Sequence, residues 1–95
     1  MLFLISPSNM AAEVSRRAKA MRLAQNLSQR SMAQRSGVSE ASLKRFEHTG
    51  EISFASLLKI SAVLGCLDDF GALFVPREAV SIDEIAKKRR VRGRG

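Results

Sequence analysis

The 95-residue chain has one cysteine, one histidine, two prolines, and neither tryptophan nor tyrosine. A single Cys66 excludes an internal disulfide framework and any metal site built on several thiolates. After Gly65 it reads as a small buried residue, with redox sensing as the minor alternative. His48 alone offers little for metal ligation or acid–base chemistry; near a helix C-terminus it reads as a cap compatible with the helix dipole. Long apolar runs are missing too. Met1 to Ile5 is too short for a membrane span or a signal-peptide core, lacks a basic flank, and stops at Ser6-Pro7. There is no Gly-rich phosphate loop, no pair of catalytic carboxylates and no Ser–His arrangement. No catalytic residue, metal or cofactor is therefore expected, and the chain reads as a reduced, cytoplasmic binding protein.

What is present is unevenly distributed charge. Residues 1–46 hold eight basic and two acidic side chains, residues 47–86 hold two and seven, and residues 87–95 hold six and none. The net +7 is thus a basic front, an acidic middle and a basic tail, a division that suits a polyanionic partner engaged by particular segments. At 45% hydrophobic and 26% charged residues, the chain has the composition of a globular domain.

Serines and glycines punctuate the rest. Ser6-Pro7 or Ser8 opens a first helix, along which Met10, Val14, Ala18 and Met21 recur at helical spacing to about Gln25. Ser28 caps a second, short helix with Met32 and Ala33 inward, closed at Gly37. Ser39 caps a third, with Leu43 and Phe46 inward, ending at His48-Thr-Gly50. Ser53 opens a fourth from Phe54 to Leu64, apolar nearly all round and so expected at the centre of the domain. Asp68 and Asp69 start a fifth, whose face would be Phe70, Leu73 and Phe74 and whose end would be Pro76. Ser81 with Glu84 has the form of a capping box for a last turn or two. The fold class is therefore all-α with five helices. An extended segment occupies residues 1–7, the helical domain residues 8–75, and an extension with a flexible basic tail residues 76–95.

Ser28 to Glu47 is the most informative stretch. Two helices of about eight residues joined by a turn of about four, with glycine in the turn, form a helix-turn-helix. Ala33 is small where the helices approach, Gly37 takes a backbone angle that a Cβ resists, and Val38 and Leu43 fill the angle between them. Two charges break the inward pattern: Arg22 lies four residues beyond Ala18, and Glu47 four beyond Leu43. Buried singly, each would cost several kcal/mol, so the expectation is an ion pair locking the first helix to the third.

The segment Ser28-Gln-Arg-Ser-Met-Ala-Gln-Arg-Ser-Gly-Val-Ser-Glu-Ala-Ser-Leu-Lys-Arg-Phe-Glu47 resembles the XRE (Cro/CI-type) helix-turn-helix regulators, and the similarity covers residues 8–65 in helix order and spacing. The resemblance implies a lambda-repressor-like fold and binding to double-stranded DNA. Gln29 falls where family members clamp a phosphate, and Ser39, Glu40, Ala41, Ser42, Lys44 and Arg45 on the face that enters the major groove. Chemistry suggests their roles: Arg45 donating two bonds to guanine, Glu40 accepting from cytosine, Ala41 against a thymine methyl, Lys44 on a phosphate. The family often has Gln where this chain has Glu40 and Ala41, so a target sequence does not transfer. Repelled by phosphate, Glu40 must either read a base or orient Arg45 or Lys44.

Such regulators act as two-fold dimers on half-sites about 34 Å apart, which implies an inverted-repeat operator and a dimer contact. Phe70, Leu73 and Phe74 are one candidate surface; Leu2, Phe3 and Leu4, pairing as a strand with the partner's copy, are the other. Ile5-Ser-Pro-Ser-Asn-Met-Ala-Ala12 and the stretch from Phe46 to Ile60 are also similar to HipB-type antitoxins, which implies a HipA-like kinase toxin as a further partner. For the tail, a solubilising end and an arm on DNA are equally compatible with its six charges.

Overall fold

The computed structural model describes residues 5–77, which hold four α-helices and one 3-10 helix and no strand. In chain order these are α1 (Pro7–Ala24), α2 (Gln29–Ser36), α3 (Glu40–Thr49), α4 (Phe54–Leu64) and the 3-10 helix Leu67–Ala72. The all-α architecture is the one expected.

Each α-helix begins by the same device. The hydroxyls of Ser6, Ser28, Ser39 and Ser53 accept the backbone N–H three residues on, at 3.0–3.1 Å. Each satisfies one of the donors that a helix start leaves without a partner. Pro7 occupies the first turn of α1, where its missing N–H costs nothing, so the helix starts one residue before the expected domain boundary at Ser8. Helices α2, α3 and α4 close on Gly37, Gly50 and Gly65. Gly50 is doubly constrained: its φ is +83°, and a Cβ there would meet the Ala11 backbone at 3.1 Å. The end of α3 is thereby seated on the start of α1.

The core comprises Leu27, Met32, Val38, Leu43, Phe46, Ile60 and Leu64, with Val14, Ala18, Met21, Leu57 and Val63 packed against it. α3 packs on α1 and α2, and α4 on α2 and the 3-10 helix. The inward stripe of α1 is displaced from its expected course. Met10 is exposed, while Ser15 is buried and donates to the Ala12 carbonyl at 3.0 Å; α1 reaches past the core at its first turns, so the stripe counts only from Val14 on.

Two further expectations are corrected. α4 is not buried all round: Phe54, in its first turn, is 56% exposed and meets Phe70 edge-on with ring centroids 5.9 Å apart. The fifth element is 3-10 rather than α and stops at Ala72. Leu73 follows it in extended conformation, and Phe74 has φ +65° and is 95% exposed. Phe70, Leu73 and Phe74 therefore do not form one helical face, since Leu73 and Phe74 lie beyond the helix end. The expected turns from Ser81 to Lys88, the basic tail, and Leu2, Phe3 and Leu4 lie outside the described residues.

Candidate nucleic-acid interface

Helices α2 and α3, joined through Gly37, Val38 and Ser39, make the helix-turn-helix. Met32, Val38, Leu43 and Phe46 are buried, which anchors α3 by one side and sets its register. The opposite side of α3 is open: Ala41, Ser42, Lys44, Arg45 and His48 are all exposed, and Glu40 is half-buried. This face presents cationic and hydroxyl donors, a carboxylate acceptor and a methyl group, the functional groups that read base edges in a major groove.

Beneath it lies the ion pair that fixes α3 to α1. Arg22 Nε donates to Glu47 Oε2 at 2.7 Å and Nη2 to Oε1 at 2.9 Å. The two side chains are 7% and 5% exposed. Arg22 Nη1 also donates to the Leu27 carbonyl at 2.8 Å, tying in the loop between α1 and α2. A bidentate pair of this kind fixes orientation as well as distance. Burial pushes the Glu47 carboxyl up, but hydrogen bonds from Arg22 and Gln29 and the nearby Arg22 and Lys19 charges outweigh it, leaving Glu47 below the usual glutamate range. No buried side-chain polar atom among the described residues lacks a partner.

The expected site residues are placed as follows. Gln29 is half-buried at the start of α2, and its Nε2 donates to Glu47 Oε1 at 2.9 Å. Its amide is thus engaged inward, toward the ion pair. Ser39 is the cap of α3, and its hydroxyl also donates to the Ser42 hydroxyl at 2.9 Å. Glu40 faces Lys44 one turn on, Nζ to Oε2 3.5 Å, so of the two cations open to it in the sequence it takes Lys44. Arg45 is paired with Glu51 instead.

Glu51 is a residue that sequence reasoning missed. It lies outside α3, across the Gly50 turn, and is brought back by Thr49: the Thr49 hydroxyl donates to the Arg45 carbonyl at 2.7 Å and accepts from the Glu51 N–H at 3.1 Å. The only sequence signal was a carboxylate following a Thr-Gly helix end. Gln25 was missed as well; its Nε2 donates to the Leu64 carbonyl at 2.9 Å and satisfies the end of α4. On α1, Glu13 lies between Arg16 and Arg17; hydrogen bonds from both hold its carboxyl below the usual range. The charge of those two exposed cations is thereby partly offset within α1.

A matching helix-turn-helix family spans residues 19–69, more than half of the chain, and the protein belongs to that family in its XRE type. No curated protein and no solved structure matches it. The fold and the family together support a DNA-binding transcription regulator, a regulatory class that is not typically enzymatic. Among the described residues no cluster of side chains is suited to a metal ion, and no helix is long and apolar enough to cross a membrane.

Proposed function

We propose that the protein is a dimeric, sequence-specific repressor that occludes an inverted-repeat operator, including one at its own promoter. The observation that carries this reading is the open face of α3: Ala41, Ser42, Lys44 and Arg45 face solvent while Leu43 and Phe46 root the helix in the core. Gln29, Ser39 and Glu40 complete the surface at its edge. Arg45 is assigned to a guanine, Ala41 to a thymine methyl and Lys44 to the backbone. Arg30 and Arg35, exposed on α2, add attraction for phosphate that falls with salt.

Two-fold pairing is supported by apolar side chains left open near the end of the described chain, Leu73 and Phe74; Phe70, edge-on to Phe54, is the third candidate. Leu2, Phe3 and Leu4 are the second candidate contact. In this reading the dimer also serves as antitoxin to a HipA-like kinase toxin; the support is the likeness of Ile5–Ala12 and Phe46–Ile60 to HipB-type chains. A second reading, a partner-binding module without base recognition, is favoured by one observation: both cations of the α3 face already face carboxylates of the same chain.

Footprinting on the upstream region at two ionic strengths, with light scattering of the free protein, separates the two. The repressor reading expects dimer mass and protection of two half-sites about 34 Å apart. A monomer at micromolar concentration, or uniform binding that disappears with salt, contradicts it.

A further inference from the structure

Arg45 is the base-reading residue with the most to offer, and the structure gives it a fixed neighbour. Its Nη2 donates to Glu51 Oε1, and both side chains are about two-thirds exposed. The backbone of Glu51 is held from several directions. Gly50 is pinned in the left-handed region against Ala11, and Thr49 bridges the Arg45 carbonyl to the Glu51 N–H. Arg45 and Glu51 also line one side of a shallow groove between α3 and α4, with Ser42, Ile52, Ser53 and Ser56. A carboxylate whose backbone is tied to the arginine's own helical turn has a short, defined reach.

Resting on the DNA-binding reading above, we propose that Glu51 is the positioning residue for Arg45 and a determinant of base specificity. The carboxylate acts in two ways. It holds the guanidinium in one orientation, so that the N–H groups left free meet a guanine edge with less rotamer freedom lost on binding. It also places a negative charge beside the arginine on the exposed face, which repels phosphate and so penalises loose, backbone-only binding. Orientation favours the right site and repulsion disfavours the wrong ones, the two parts of a specificity difference.

The consequence distinguishes Glu51 from a solvated surface ion pair. Removing a merely structural carboxylate would leave base preference as it was; removing a positioning one relaxes preference at a single base pair and strengthens non-specific binding.

The test is site selection from a randomised duplex pool by the native full chain and by Glu51→Ala, Glu51→Gln and Arg45→Ala. Affinity for the selected and for an unrelated duplex is then measured at two salt concentrations. A good bidentate contact discriminates between bases by roughly 5- to 150-fold. The expectation is a loss of about tenfold in guanine preference at one position for Glu51→Ala, with tighter binding to the unrelated duplex. Glu51→Gln, which still accepts a hydrogen bond, retains part of the preference, and Arg45→Ala abolishes it at the same position. If the native chain selects a sequence and Glu51→Ala selects it with undiminished preference, the positioning role is overturned while DNA reading stands. If Arg45→Ala and Glu51→Ala alter different positions, it is overturned likewise. A native chain that selects nothing overturns both. Melting curves of the variants, all substituted at exposed positions, confirm that they fold.

Discussion

Replacing Arg22 with alanine removes three hydrogen bonds at once, two to Glu47 and one to the Leu27 carbonyl. It also leaves Glu47, 5% exposed, as a buried carboxylate with only Gln29 donating to it across helices. Truncating one member of a buried pair typically costs about 3–5 kcal/mol, because the stranded charge keeps its desolvation penalty. For a domain of this size each kcal/mol moves the melting temperature by roughly 4–8 °C, so the variant should melt at least about 12 °C below the native chain. Against a typical total stability of about 5–15 kcal/mol, that is a large fraction of what holds the domain folded. Arg16→Ala is the matched control: Arg16 is also paired, with Glu13, but is 68% exposed, and solvent screens an exposed pair so that it contributes little. With no Trp or Tyr in the chain, far-ultraviolet circular dichroism is the natural probe. Melting temperatures for Arg22→Ala and Arg16→Ala within a few degrees of each other would refute the argument. A double substitution, Arg22→Met with Glu47→Leu, should recover most of the loss, since apolar replacement of a whole buried pair is often neutral.

Further expectations concern pH and the turns. Glu47 is held below its ordinary value in the folded chain, so its contribution is present above 4.5 and is lost as pH falls through the lowered native value. Melting temperature against pH should show this acid limb. Glu13→Gln should leave most of it, because Glu13 lies on the surface of α1; a limb that vanished with Glu13→Gln would contradict the assignment. Gly37→Ala meets no neighbour and carries only the left-handed φ cost, about 1–2 kcal/mol. Gly50→Ala must in addition displace the Ala11 backbone and should cost about 1–3 kcal/mol more; equal losses in denaturant titrations would contradict the close seating of α3 on α1.

Much of this architecture was legible because its punctuation is local. A serine whose hydroxyl caps the N–H three residues on, and a glycine that alone tolerates the left-handed closing turn, act within one helical turn, so Ser28, Ser39, Ser53, Gly37 and Gly50 marked the helices directly. Arg22 and Glu47 stood out because each broke an apolar stripe. What escaped was decided by how turns fold back. Glu51 reaches Arg45 only through the Thr49–Gly50 geometry, and Gln29 turns to Glu47 only once α2 and α3 have crossed. The expected α-helical face of Phe70, Leu73 and Phe74 failed for a related reason. A 3-10 segment of six residues advances further per residue than an α-helix and ends before Leu73.

The most direct test of the central claim, that the open face of α3 lies along base edges in the major groove, is methylation interference on the selected duplex. Guanine N7 lies in that groove and is the atom Arg45 is assigned to contact. Methylation should block binding at discrete guanines in each half-site, and Arg45→Ala should erase the effect at one of them. Binding that tolerates N7 methylation throughout would mean contact through phosphates alone and would contradict the account.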